Sequence, residues 1–239
     1  MTILIKFPDT KEAIAALYDE ARLQPPSVEA CITPLRDLVG SLNLNCVELP
    51  KLTSRTATEY LLLRRGSPAS QSDNVDDAAL AGYLHVSPNF GCIFVNELDP
   101  VTRRRFSVAH ELGHYVRHFR PVLDYLKRQG ELLTISVTDP FAGDDKIEQE
   151  DSEGTADRRR RGRFSFSDPK IVEGLLPSYE QMEGEANDFA AELLMPSDAV
   201  REQAVRFGLP KDDLAWKLAS EMLVSRSAMY YRLEELQVF

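Results

Sequence analysis

Two histidines four residues apart, His110 and His114, bracket a glutamate in the run His110-Glu111-Leu112-Gly113-His114. An α-helix turns about 100° per residue, so side chains four apart share one face at about 6 Å of axial rise. Both imidazoles then reach one metal ion. Glu111 stands beside them, near enough to touch a water on that ion without being a ligand, as the general base of a hydrolytic zinc site does. The pattern is short and occurs by chance. A pair of ordinary histidines on an amphipathic helix is the competing reading, and it leaves Glu111 unexplained.

The surroundings must supply that helix, and they do. From Asp99 to His118 the sequence DPVTRRRFSVAHELGHYVRH reads as one helix, with Asp99 suited to the N-cap and Pro100 to the first helical position. Val101, Val108, Leu112, Tyr115 and Val116 give it an apolar stripe.

A catalytic zinc takes three protein ligands and leaves a position for water, so a third His or carboxylate is needed. His118 is again four residues on, but on a straight helix it lies roughly 12 Å along the axis from His110, too far for one ion bound at about 2 Å. It reads as a helix-end or supporting group. Downstream, EQMEGEANDFAAELLMP (Glu180 to Pro196) reads as a helix with Phe189, Ala190, Leu193 and Leu194 on its apolar face. Glu185, four residues before Phe189, borders that face, where a carboxylate needs a cation. Glu192, two turns on, is its rival, and periodicity does not separate the two.

The 239 residues are 43% hydrophobic, enough for one large domain or a domain with a satellite. No run approaches the roughly 18 to 20 apolar residues of a membrane span, and Met1-Thr2-Ile3-Leu4 is too brief for a signal peptide. The expected location is the cytoplasm. Cys31, Cys46 and Cys92 are far apart and without Cys-x-x-Cys spacing, so they read as reduced thiols. A net charge of −10 argues against direct nucleic-acid binding.

Asp9 to Leu23 reads as an amphipathic helix with Asp9 and Glu12 in capping-box spacing, stopped by Pro25 and Pro26. A second helix is expected between Ser27 and Gly40, disturbed by Pro34. Leu42 to Leu49 and Glu59 to Leu63 read as β-like runs, and Gly66 to Asp77 as a polar loop. Ala81 to Val86 and Cys92 to Asn96 read as a hairpin leading into the motif helix. The second strand suits pairing with an extended peptide as well as a plain core role. Pro121 to Gly130 reads as a short helix and Glu131 to Val137 as a strand. Asp144 to Glu153 is acidic and Arg158 to Arg163 basic, the pattern of a solvated loop.

The segments Arg104 to His114 (RRFSVAHELGH) and Gly184 to Pro196 (GEANDFAAELLMP) together resemble the ImmA/IrrE family of bacterial and phage metallopeptidases. Ile93-Phe94-Val95-Asn96 is similar to the strand before that family's motif helix. Leu223 to Leu233 is similar to its C-terminal V-S-x-x-A-x-x-x-R-L segment. The resemblance implies His110, His114 and Glu185 as metal ligands, Glu111 as base, and a zincin-like α+β fold. In that fold the active-site helix packs on a small, mostly antiparallel sheet, with additional helices and a C-terminal helix-turn-helix-like segment. Some 70 residues lie between His114 and Glu185, more than is usual in relatives. Residues 120–179 therefore read as an insertion with a flexible charged loop at 142–165. The expected division is a peptidase domain over 1–196 and a helical segment over 197–239.

The tail from Lys211 reads as helix, turn, helix, with Ser225 as an N-cap. Its four basic residues (Lys211, Lys217, Arg226, Arg232) against five acidic ones (Asp212, Asp213, Glu221, Glu234, Glu235) favour packing or protein recognition over DNA. The expected function is a zinc-dependent endopeptidase holding one ion, with manganese or another divalent metal able to suit the same ligands. Tyr179 and His118 are candidates to stabilise the oxyanion. Asn187 and Asp188 are candidates to orient a ligand imidazole. The resemblance implies a protein substrate, a helix-turn-helix repressor cut in a stress or mobile-element response. The alternative is a non-proteolytic regulator that binds a partner repressor or toxin–antitoxin component.

Overall fold

A computed structural model of the chain describes residues 5–65, 77–140, 163–172 and 174–239. The acidic run at 144–153, and the basic run at 158–163 and the polar loop at 66–77 but for the last residue of each, lie outside them.

Asp9 caps α1 (Thr10–Ala21) and forms the expected capping box with Glu12. The second helix is shorter than expected: α2 spans Leu35–Ser41, with Pro34 at its N-cap. Proline has no N–H to donate and fits a helix start, so the helix begins after it. β1 (Leu44–Leu49) follows. Glu59 to Leu63, expected as a strand, is instead part of α3 (Ser54–Arg65). Ala57 and Leu61, four apart, are fully buried on its inner face, a helical period that outweighs the apolar run Leu61-Leu62-Leu63.

β2 (Leu80–Ser87) and β3 (Phe90–Asn96) form the expected hairpin, with Leu84 opposite Ile93. β4 (Ile135–Pro140) pairs antiparallel with β2 and with the short β5 (Arg163–Phe166), while β1 runs parallel to β3. Among the described residues the sheet order is β1-β3-β2-β4-β5. Ile93 and Val95 of β3 enter the main core, and Cys92 and Phe94 enter a second cluster with Leu52, Ala57 and Leu61. The sheet is thus covered on both faces, which is why β3 reads as a continuous apolar run.

The motif helix α4 (Val101–Gly113) lies across the main-core face. Its N-cap is Pro100, while Asp99 bonds Asn96 Nδ2 at 3.0 Å and pairs with Arg103 at 3.5 Å. The expected single helix to His118 changes character at His114: His114–Phe119 form a π-helical turn, then α5 (Arg120–Arg128) follows. Pro121 supplies a reason, since it cannot donate to the carbonyl four residues back and its ring crowds that carbonyl. After α6 (Pro169–Val172) comes α7 (Tyr179–Leu194), capped by Ser178. Then come α8 (Ser197–Phe207), α9 (Lys211–Met222) and α10 (Arg226–Glu235). Leu214, Leu218, Met222, Met229 and Leu233 are buried in the same cluster as Leu112 and Phe189. The fold is α+β, as expected for a zincin-like chain.

Among the described residues no helix is long and apolar enough to cross a membrane. The cysteines are free thiols.

Candidate metal centre

The site forms where α4 packs on α7. Gly113 makes the approach possible, because a Cβ there would lie 3.0 Å from the Phe189 ring and 3.2 Å from the Ala186 carbonyl. At this distance the imidazoles of His110 and His114 meet a carboxylate of α7.

His110 Nε2 and His114 Nε2 are 3.1 Å apart. Glu183 completes the group, with Oε1 at 3.2 Å from His114 Nε2 and Oε2 at 3.6 Å from His110 Nε2. The three residues offer ligand atoms that all lie within 4.8 Å of one another. Two ring nitrogens and a carboxylate, largely withdrawn from water and turned toward one point, make a donor set that fits a divalent cation. The electrostatics agree with that fit. Burial opposes charge on His110, but Glu183, Asp139 and Asn187 together raise its pKa. Burial lowers that of His114 to about 4, against the pull of Glu183. Burial would raise Glu183, yet the two imidazoles hold it well below the usual carboxylate range.

The carboxylate beside the imidazoles is therefore Glu183, where Glu185 was expected. Glu185 faces the π-turn instead: its Oε2 lies 3.0 Å from His118 Nε2 and 3.1 Å from Arg117 Nη2, and its Oε1 accepts from Gln181 at 2.9 Å. On a helix, residues two apart point about 200° apart in projection, so both cannot serve the same ion. The spacing that marks Glu183 is its distance of four from Asn187, whose Oδ1 lies 3.0 Å from His110 Nδ1. The two share a face of α7, and that face looks at α4. Glu192 is engaged elsewhere, with Ser197 and with Arg232 of α10.

Glu111 is fully buried on α4, and among the described residues neither carboxylate oxygen has a hydrogen-bond partner. Burial pushes its pKa well above the usual carboxylate range, and Asp139 and Glu183 add to the shift. Gly82 of β2 makes room for it: a Cβ there would lie 2.5 Å from Glu111 Oε1. A desolvated, proton-seeking carboxylate beside a cation site is suited to general-base work.

Of the other expected site residues, Asn187 meets His110, and His118 is committed to Glu185. Asp188 is exposed on α7. Tyr179 packs on Phe164, with ring centroids 5.0 Å apart, beside an apolar cavity of about 440 Å3.

Asp139 escaped the sequence reading. It lines a cleft of about 410 Å3 together with His110, Glu183 and Asn187. Burial raises its pKa to about 6, with Glu183 adding to the rise and His110 and Arg103 opposing it. The signal was strand phase: Ile135, Val137 and Asp139 alternate onto one face of β4, and the first two are buried in the main core.

A Peptidase M78 family model, described as an IrrE N-terminal-like domain, matches residues 71–150 and 164–234. No curated protein matches the chain.

Proposed function

Because the chain belongs to the M78 peptidases, the ImmA/IrrE family of metallopeptidases, we propose that it is a zinc-dependent endopeptidase whose metal is held by His110, His114 and Glu183. The observation that carries this reading is the convergence of their three ligand atoms within 4.8 Å beside a buried glutamate that has no hydrogen-bond partner among the described residues. Zinc suits two imidazoles and a carboxylate, and manganese or another divalent metal can occupy the same ligands.

When bound, the cation supplies a Lewis acid that polarises the scissile carbonyl and acidifies a water. The protein does the rest. His110 donates its Nδ1–H to Asn187 Oδ1, which fixes the tautomer that turns Nε2 toward the cation. Glu111 accepts the proton of the attacking water and returns it to the leaving amine, the role its desolvated site favours. His118 and Arg117 hold Glu185, and with it α7, so that Glu183 stays aimed at the imidazoles.

The substrate is a protein. The family resemblance supports a helix-turn-helix repressor cut in a stress or mobile-element response. A cytoplasmic setting is in keeping with the free thiols.

The test is to incubate zinc-loaded chain with candidate repressors and look for discrete, chelator-sensitive fragments. The Glu111→Gln protein serves as control, keeping the metal and losing cleavage by roughly 10²- to 10⁴-fold. Stable complexes without fragments, at full zinc occupancy, would replace this reading with that of a non-catalytic regulator acting by contact.

A further inference from the structure

The cleft at the metal centre is not uniformly lined. His110, Glu183, Asp139 and Asn187 make it polar around the ligands, while Phe106, Met195, Val224 and Ala228 contribute apolar surface, with Arg103, Ser107 and Ser225 interspersed among them in sequence. The apolar part starts at a ligand, since the Phe106 ring stacks on His110 with centroids 6.3 Å apart and planes 27° apart. It continues onto the turn between α9 and α10, which supplies Val224 and Ala228.

That turn is firmly held. Leu223 closes α9 in the left-handed region at φ 53, and Ser225 Oγ accepts from Ala228 N at 3.1 Å to start α10. Two turns along from Ser225, the buried Arg232 donates Nε–H to the Met195 carbonyl at 3.1 Å and pairs with Glu192 near the end of α7. The helix that carries Glu183 and the turn that walls the cleft are thus tied together. Val224 and Ala228 line the cleft from the turn side.

A cleft that is polar at the cation and apolar on a fixed wall matches a peptide presenting its backbone to the ion and one side chain to the wall. We infer that Phe106, Met195, Val224 and Ala228 form a subsite for a large apolar side chain of the substrate, next to the scissile bond. The C-terminal helical pair supplies half of this subsite. The inference rests on the peptidase reading and adds the class of residue recognised. Burying one Leu, Met or Phe side chain corresponds to roughly 10- to 100-fold in affinity over glycine.

The test uses peptides varied at one position over Gly, Ala, Ser, Leu, Met and Phe. Cleavage by the zinc-loaded chain is read by mass spectrometry. The same peptides are titrated onto the zinc-loaded Glu111→Gln protein, which reports recognition without turnover. Leu, Met and Phe are expected to lead both rankings by roughly 10- to 100-fold over Gly. Ala228→Phe fills the subsite and is expected to cut that lead by about tenfold or more at unchanged zinc content. Val224→Ala enlarges the subsite and is expected to move the preference toward Phe, and it serves should the first variant fail to fold. Rankings unchanged in both variants at full zinc overturn the subsite, as does binding of all six peptides with equal affinity. Ranked binding with no cleavage by the wild-type chain would sink the peptidase reading and leave the subsite standing.

Discussion

At the residue scale, the centre turns on which carboxylate of α7 faces the imidazoles. Glu183 lies 3.2 Å from His114 Nε2, whereas Glu185 is bonded to His118 and Arg117. Removing a ligand and removing a supporting pair have different consequences. Glu183→Ala is expected to weaken zinc binding by at least about 100-fold, while Glu185→Ala keeps one zinc per chain with affinity reduced by about tenfold or less. Competition with a chromophoric chelator checks both, and the reverse order would restore Glu185 as the ligand. Protons report on the same centre. Despite its burial, His110 has its pKa raised by Glu183, Asp139 and Asn187, while burial lowers His114 to about 4. In the metal-free protein His110 is therefore the imidazole that keeps a proton to higher pH, and zinc competes with that proton. Uptake near neutral pH is expected to release up to about one proton, with affinity falling by as much as roughly tenfold per pH unit as His110 protonates. Calorimetry in buffers of different ionisation heat measures this, and buffer-independent heats would contradict it. That His110 and His114 come together is legible in the sequence, because a four-residue step fixes which side chains share a helix face. The third carboxylate is not. Reading the face by Phe189 leaves Glu185 and Glu192 open and the family resemblance implies Glu185, whereas the step from Glu183 to Asn187 marks the face turned to α4.

At the scale of elements, the π-helical turn and α7 form a brace behind the centre. Arg117 donates to the Pro8 carbonyl and to the Glu185 carbonyl, both at 3.2 Å, and His118 meets the Glu185 side chain at 3.0 Å. Burial lowers the pKa of His118 to about 4, so at neutral pH it is an uncharged ring donating to the carboxylate, and Arg117 supplies the charge. Glu185→Ala leaves these buried donors unmatched, a loss of about 2 kcal/mol. For a chain of this length that corresponds to a Tm about 6 °C lower by calorimetry. The pH dependence has a definite sign. Burial opposes the shift, but Gln181, His118 and Arg117 lower the pKa of Glu185 in the folded chain. Its contribution is present above the unfolded value of about 4.3 and lost as pH falls through the folded value. The gap between wild type and variant should therefore narrow under acid, and a gap that widens would contradict the brace. The π-turn was not legible because its signal, Pro121, sits beyond the segment it distorts. The same limit applied to Glu59 to Leu63, where an apolar run masked the four-residue step from Ala57 to Leu61. The hairpin of β2 and β3 and the capping box of α1 were legible, because local spacing alone specifies them.

Over the whole molecule, the C-terminal helices belong to the same hydrophobic body as the metal centre. Leu214, Leu218, Met222, Met229 and Leu233 are buried in one cluster with Leu112 of α4 and Phe189 of α7. The helix-turn-helix spacing from Lys211 onward and its balance of charge favour packing or protein recognition over DNA. Spacing leaves packing and recognition unseparated, and in the fold the apolar faces of these helices close the core. Arg232, bonded to the Met195 carbonyl, reinforces the join from a buried position. Losing several fully buried leucines and methionines costs about 2 to 5 kcal/mol for each comparable truncation to alanine, against a total stability of about 5 to 15 kcal/mol. A chain ending at residue 210 is therefore expected to lose its cooperative thermal transition and its zinc together, rather than survive as a smaller peptidase. Circular dichroism melting and metal analysis of the truncated protein decide the point. A sharp transition with one zinc bound would mean that the helical pair is a detachable module, and with it would go the view that recognition and catalysis share a single folded unit.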